Sequence, residues 1–520
     1  MGKRIMREKI NKKIVIIGAG PGGLTAGMIL AHRGFDVTIL EKESVVGGRN
    51  APLKIDGYTF DTGPTFLMMK FILDEMFDEV NEKSEDYLKF VKLEPMYRLK
   101  FFENEVLLSD DHKKTEDEIK KKFPGEEKGL YKFLESEGKR FKYLFPCFQK
   151  PYISFFDMLK NPLLKALPHL DIGKSVYQIL SRYFKSENLK FCFTFQSKYL
   201  GMSAWECPAA FAIIAYIEHK FGIFHVIGGL NKISDAMAKV FVKKGGKLLL
   251  NHEVKKIVNN GKKIVSVELK DGRSIEADEV IVNADFSYAV THLMDEKYVK
   301  KYSKEKLSKK KYSCSTFMLY LGVKKKYNIP HHNVFFAKDY RKNVEDIFKR
   351  KTLPEQISFY IQNASKTDPT LAPEGKSTIY VLVPVHNLQN SETDWEKEKE
   401  LFKNKVLQEI IKRTELKDLL ENIEVEKIIT PKDWQDKYNV YYGATFNLGH
   451  NLSQMLYFRP RNKFECFDNC YLVGGGTHPG SGLPTIFESG RISANLICKK
   501  YNVKFKQPSS LEEKIENKLL

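Results

Sequence analysis

Apolar residues cluster first at Ile14, Val15, Ile16 and Ile17, an unbroken run of the kind a strand buried on both faces carries. Glycines follow at 18, 20 and 23, then a helical stretch to about Ala31, then a second apolar run from Val37 to Leu40 that ends on Glu41. This order predicts a βαβ unit. Further on, Gly228 and Gly229 open a helix through Phe241, Gly245 and Gly246 end it, and Leu248–Asn251 read as a parallel strand leading to Val254. Strands around Val265 and Ile275 flank Asp271-Gly272, a hairpin signal, and a buried strand ends at Asn283 and Ala284. Near the end, Tyr471–Val473 forms a strand before glycines 474, 475 and 476, and Pro484 opens a helix through Ile497.

Two other blocks have a different pattern. From Phe71 to about Lys220 the period is helical and the residues rich in Phe, Tyr and Leu; from about Tyr312 to Tyr457 strands such as STFMLYLGV and STIYVLVPV accompany a charged helix, DWEKEKELFKNKVLQEIIKRT. Segments 13–70, 221–295 and 465–500 therefore read as one discontinuous nucleotide-binding domain. Segments 71–220 and 296–464 read as a substrate-binding domain, with basic tails at 1–12 and 501–520. The aromatic content of the inserted blocks suits an apolar cavity.

The glycines carry the chemistry. Gly18 makes the tight turn, Gly20 lets backbone approach a pyrophosphate, and Gly23 lets the helix pack on the strand, so that the helix N-terminus faces an anion with unpaired N–H groups. Ala19 and Gly22 complete the turn. Glu41, about 20 residues on, is placed to accept from a ribose hydroxyl and, being acidic, disfavours a 2′-phosphate; Lys42 lies beside it. Gly48 and Arg49, after Gly47, add a second flexible turn and a fixed cation. Gly63, Pro64 and Thr65 form a tight turn suited to lie against a cofactor ring.

Composition narrows the rest. At 520 residues the length suggests two to four domains, and Lys and Arg number 85 against 66 Asp and Glu, a net charge of +19. No nucleic-acid module is legible and the basic residues are spread along the chain, which leaves an anionic membrane surface or a lysine-rich background. No apolar run approaches the roughly 18 residues a spanning helix needs, and the basic first residues lack the apolar core of a signal peptide. Seven scattered cysteines without a CxxC pair read as reduced thiols; Cys466 and Cys470, four apart, read as packing residues, and no metal site is expected.

Taken together, IGAGPGG, EKESVVGGR, FDTGPT, PYISFFDML, FTFQSKYLG, PHHNVFF, TDPTLAPEG, YVLVPVHNL and YLVGGGTHPGSGLPT resemble bacterial carotenoid desaturases of the phytoene desaturase type, over about Lys13 to Lys499. The resemblance implies an α/β fold, with a Rossmann-like FAD-binding domain of the amine-oxidase type, an inserted mixed α+β substrate domain and a helical membrane-facing part. It implies FAD as cofactor, a lipophilic polyene such as phytoene or a C30 diapophytoene as substrate, and peripheral attachment at the cytoplasmic side of the membrane. Quinone or oxygen would take the electrons, since one GxGxxG alone follows a strand.

Residue by residue, the family's flavin contacts fall on Gly18, Gly20, Gly23, Glu41, Gly48, Arg49, Val254 and the turn from Gly475 and Gly476 to Leu483, Pro484 and Thr485. Its active-site acid matches Asp157, with Lys160 where the family has arginine. If SFFDMLK is helical, the two share a face. Thr485 replaces a glycine, and related members isomerise, saturate or oxidise carotenoids, so those reactions stay open beside desaturation. A flavin-free isoprenoid-binding escort on a related fold would have little use for the turns at Gly47–Arg49 and Gly474–Gly476.

Overall fold

The computed structural model describes residues 10–511 and 513; of the expected basic tails, residues 1–9, 512 and 514–520 lie outside the described residues. The first strand, β1 (Ile10–Ile17), runs into helix α1 (Pro21–His32) and returns as β2 (Phe35–Leu40). Pro21 stands at the first helical turn, where its missing N–H costs nothing, and every residue from Pro21 to Ala31 is buried, which accounts for a helix that is apolar all round. Helix α2 (Asn231–Lys243) leads to β3 (Lys247–Leu249), and β4 (Glu279–Val282), β5 (Cys470–Leu472) and helix α3 (Leu483–Lys500) complete the unit.

These five strands form one sheet in the order β5-β4-β1-β2-β3, parallel throughout. β3 is shorter than the sequence suggests, because Asn251 turns with φ +57° and Val254 instead opens an antiparallel three-stranded sheet that contains the Asp271-Gly272 hairpin. Helices α1 and α3 cross closely: a Cβ on Gly490 would lie 2.6 Å from the Gly22 carbonyl oxygen. Where they meet helix Lys70–Asp78, the buried Arg491 guanidinium pairs with Glu488, Glu75 and Glu79.

A second sheet of seven strands runs Ile423–Ile429, Ser315–Val323, Ser377–Val385, Phe359–Gln362, His332–Phe335, Tyr97–Lys100, Glu105–Leu108. It corrects the helical reading of the first inserted block, which contributes the last two strands. Val106 and Leu108 are buried while Leu107 is exposed, a period of two that is too short to stand out among the helices around it. Helix Trp395–Arg413, capped by Asp394, falls where its charged sequence placed it and covers one face of this sheet through Phe402, Val406 and Ile410. Among the described residues no helix is long and apolar enough to cross a membrane.

Candidate functional site

A cavity of about 760 Å³ runs from the C-terminal ends of β1, β2 and β4 to the second sheet. At its first end, Gly18 adopts φ +97°, and a Cβ there would lie 2.7 Å from the Asn283 carbonyl oxygen. Asn283 follows β4 and donates from Nδ2 to the Gly18 carbonyl at 3.0 Å. Gly23 sits beneath, where a Cβ would come within 2.4 Å of that same carbonyl oxygen. The Glu41 carboxylate accepts from the backbone N–H of Ala19 at 2.7 Å and of Glu43 at 3.0 Å, and burial raises its pKa.

The second glycine turn faces the first. At Gly48 an added Cβ would lie 3.8 Å from the Gly20 Cα, ordinary van der Waals contact, so the two turns pack side by side at this end of the cavity. Arg49 donates to the Thr445 carbonyl at 2.5 Å and to the Asn447 side-chain oxygen at 3.1 Å, while the Asn447 amide donates to Asp285 at 2.6 Å. Burial lowers the Arg49 pKa and raises that of Asp285, and each charge opposes the effect on the other. The tight turn after Asp61 is seated on the second sheet by three tyrosines: Tyr320 donates to the Thr62 carbonyl at 2.6 Å, Tyr380 to the Gly63 carbonyl at 3.1 Å and Tyr360 to Thr65 Oγ1 at 3.0 Å.

Thirteen of the residues assigned to the cofactor from sequence line the cavity: Gly18, Gly20, Glu41, Lys42, Gly48, Arg49, Gly63, Pro64, Thr65, Val254, Gly475, Leu483 and Pro484. Ala19, Gly22, Gly23, Gly476 and Thr485 are not part of its lining. The Thr485 hydroxyl lies 2.8–3.1 Å from the carbonyls of Gly480, Ser481 and Gly482, in the turn that starts α3. The donor set and the facing glycine turns fit a nucleotide-bearing cofactor, with the N-terminus of α3 at the same cavity.

The structure separates Asp157 and Lys160 from the other residues named from sequence. Neither residue is part of the cavity wall. Asp157 is the third residue of a short 3₁₀ turn, Phe155–Leu159, and forms a capping box with Ser154. Its carboxylate accepts from the N–H groups of Ile153 and Ser154 and from Lys160 Nζ at 2.9 Å. Burial works against the charge, but these bonds outweigh it and hold the pKa down to about 2. Such a carboxylate is a structural cap and a poor base.

The far end of the cavity is apolar and aromatic, with Phe66, Tyr97, Phe195, Tyr199, Phe336, Tyr340 and Phe446 among its walls. Two ionisable groups here went unnoticed in the sequence. Lys198, inside FTFQSKYLG, carries a buried amine without a hydrogen-bond partner. Burial lowers its pKa to about 8. Glu218 lies behind Tyr97, fully buried. Only its place directly after the apolar run Ile213–Ile217 of helix Ile213–Phe221 could have marked it.

Residues 21–498 match the model of the family described as flavin containing amine oxidoreductase. The chain is 51% identical over 95% of its length to a 4,4′-diapophytoene desaturase (4,4′-diapolycopene-forming) of Methylomonas sp., covering 97% of that protein. It is 36% identical over 92% of its length to a zeta-carotene-forming phytoene desaturase of Myxococcus xanthus, covering 93% of it. Among solved structures, an oxidoreductase from Methanosarcina mazei superposes with TM-score 0.61 at 18% identity over 94% of this chain and all of that one. A putrescine oxidase variant superposes with TM-score 0.59 at 14% identity over 94% of this chain and 99% of that one. At those identities the two structures speak to fold alone.

Proposed function

Because the chain belongs to the flavin containing amine oxidoreductases and, within them, to the carotenoid desaturases, we propose that it dehydrogenates 4,4′-diapophytoene to a more conjugated C30 polyene. The observation that carries this is 51% identity to a diapophytoene desaturase along nearly the whole of both chains, against 36% to a phytoene desaturase. A flavin oxidoreductase with a long apolar cavity has the two parts such a reaction needs.

The cofactor is read as FAD. The facing turns at Gly18–Gly20 and Gly47–Gly48 would hold its diphosphate, Glu41 its ribose, and the N-terminus of α3 would place a positive dipole at the ring. When bound, the flavin supplies an acceptor for a hydride from the substrate. The aromatic walls orient the polyene by apolar contact and keep water from the carbon that becomes electron-poor. A single nucleotide turn of this kind leaves quinone or oxygen to take the electrons onward.

The segments 71–220 and 296–464 are read as the substrate domain, and the surface around Ile153–Ile172 as its membrane-facing part. Phe156 is 70% exposed, and Phe155, Leu159, Leu164 and Ile172 are exposed with it, interleaved with Lys160 and Lys165. Exposed apolar side chains rimmed by lysines suit the surface of an anionic leaflet, here the cytoplasmic side of the membrane. A polyene dissolved in lipid would reach the cavity from there.

Expression in cells that accumulate diapophytoene, beside cells that accumulate phytoene, tests the reading. Pigment with an extended chromophore is expected in the first. Colour only in the phytoene strain, or in neither, would overturn the C30 assignment.

A further inference from the structure

Desaturation removes a hydride and a proton from neighbouring carbons, and with Asp157 committed to its surface cap the proton needs another acceptor. We propose that Tyr97 takes it, passing its own phenolic proton to Glu218 behind it. This rests on the desaturase reading above.

Tyr97 is on strand Tyr97–Lys100, 1% exposed, with its ring in the cavity wall. Phe66 and Phe195 meet that ring edge-on at 5.9 and 5.3 Å. Its hydroxyl donates to Glu218 Oε1 at 2.9 Å, and the Gln196 amide donates to the other carboxylate oxygen, also at 2.9 Å. Among the described residues no cation pairs with Glu218; Tyr199, another cavity residue, lies beside the same carboxylate. A carboxylate 0% exposed without a counter-ion is costly to maintain and has a high appetite for a proton.

The charge state follows. Burial, only partly offset by the bonds from Gln196 and Tyr97 and by the nearby Tyr199 hydroxyl, raises the Glu218 pKa to about 7, where a base is most effective at neutral pH. The groups facing Tyr97 and Glu218 do not compete. His332, whose ring centre is 5.7 Å from that of Tyr97, is held neutral by burial at a pKa of about 3. His219, next in the chain, is likewise held to about 3 by burial, reinforced by His112 and opposed by its bond to the Ser109 carbonyl.

The balance is simple. One C–H bond of the polyene breaks and its hydrogen leaves with the electron pair, as hydride, to the acceptor that a bound flavin would supply. The neighbouring C–H breaks toward Tyr97 Oη, its electrons close the new C=C bond, and the phenolic proton moves to Glu218. The products are the longer polyene, an unchanged tyrosine and a neutral Glu218 carboxyl, which returns its proton to solvent between turnovers. Tyr97 is then the catalytic residue and Glu218 the positioning and relay residue behind it.

The test uses full-length, flavin-loaded protein with diapophytoene in liposomes. Wild-type turnover should rise with pH through a single ionisation near 7. Glu218→Gln, which keeps the shape and a hydrogen bond to Tyr97, should retain flavin yet lose about 10²-fold or more in kcat together with that pH limb. Glu218→Asp should regain part of both, and Tyr97→Phe should match the glutamine variant. In the flavin-free protein, pH-difference infrared spectroscopy should show a carboxyl band titrating near 7 that Glu218→Gln removes. Should Glu218→Gln fail to fold, Tyr97→Phe and the wild-type limb decide alone. A flat wild-type profile between pH 6 and 8, or a Tyr97→Phe variant with wild-type kcat and limb, would overturn the relay. Absence of wild-type turnover with any polyene would overturn the desaturase reading instead.

Discussion

The backbone N–H of Ala19 donates to Glu41 Oε2 at 2.7 Å, which ties the first glycine turn to the end of β2 and leaves the carboxylate in the cavity wall. The same carboxylate accepts from Glu43 N–H with its other oxygen. Glu41→Gln keeps one acceptor oxygen and puts an NH₂ group against the second N–H. One bond to a charged acceptor contributes about 1.5–3 kcal/mol, so FAD affinity should fall roughly 10–100-fold. Titration of the flavin-free protein with FAD reads this; a Kd within twofold of wild type would remove Glu41 from the binding set.

The glycines of the first turn should separate into two kinds. Gly20→Val is expected to fold, because the nearest obstacle to its Cβ is the Asn283 side-chain amide at 3.0 Å, and to purify without flavin, because its side chain takes up room at the cavity wall where the diphosphate would lie. Gly23→Ala is expected to lose the fold as well, since its Cβ would lie 2.4 Å from a backbone oxygen that cannot move away from β1. Flavin absorbance and circular dichroism together distinguish them. Stoichiometric flavin in Gly20→Val would refute the cradle.

How much of this was legible in sequence depended on the distance over which each feature is encoded. The first βαβ unit was legible in its turn and in the ends of its strands, though β1 and β2 begin at Ile10 and Phe35, ahead of the apolar runs, because strand, turn and acid lie within about thirty positions and each glycine answers a local backbone demand. The strands Tyr97–Lys100 and Glu105–Leu108 were missed because four residues carry too little period to compete with surrounding helical pattern. The turn that holds Asp157 was ambiguous for a physical reason as well: its spacing to Lys160 is common to a helix face and to a capping turn, and only the exposed Phe155, Phe156 and Leu159 tell them apart. The partnership of Tyr97 with Glu218 spans 121 positions and that of Arg491 with Glu75 spans 416, separations at which no single-sequence pattern survives.

Arg491 supplies a stability prediction. Its guanidinium is 1% exposed and bonds Glu488 through Nε at 2.9 Å and Glu75 through Nη1 at 2.9 Å, with Glu79 at 3.4 Å. Arg491→Met fits the volume but removes the cation that Glu488, Glu75 and Glu79 share, with Arg33 still beside Glu79. Removing one partner of a buried ionic cluster typically costs about 3–5 kcal/mol. Chemical denaturation should show a loss of that size, and a loss under 1 kcal/mol would mean that the carboxylates are neutral without it.

Lys198 works in the opposite direction. Burial lowers its pKa from 10.5 to about 8, with Cys314 opposing, so the folded state binds this proton more weakly than the unfolded chain does. Below pH 8 both states are charged and the full penalty falls on the folded one; between 8 and 10.5 the folded amine is neutral and the unfolded one still charged, so stability rises with pH; above 10.5 the penalty is gone. Lys198→Met should therefore stabilise the protein at pH 7 by on the order of 2 kcal/mol. Melting temperatures across pH 7–11 check it, since the gap to wild type should close toward the alkaline end. A gap independent of pH would locate the gain in packing rather than in the charge.

The surface turn that holds Asp157 yields the last prediction. Its capping box fixes Phe155–Leu159 in a single turn and so presents Phe155, Phe156 and Leu159 outward, 53%, 70% and 55% exposed. If that presentation serves docking to lipid, Phe156→Asp replaces apolar burial of about 2 kcal/mol by a charge repelled from an anionic leaflet, and vesicle binding should fall at least tenfold. Asp157→Asn keeps a side-chain acceptor for the cap but gives up its charge toward Lys160, so it should weaken vesicle binding only slightly and leave turnover in detergent within about threefold of wild type. High salt should reduce binding of every variant, because the basic residues around the turn contribute about 1 kcal/mol each near an anionic surface. Flotation assays with neutral and anionic liposomes separate the two contributions. Undiminished flotation of Phe156→Asp would exclude this face, and a hundredfold loss of detergent turnover in Asp157→Asn would return Asp157 to the chemistry.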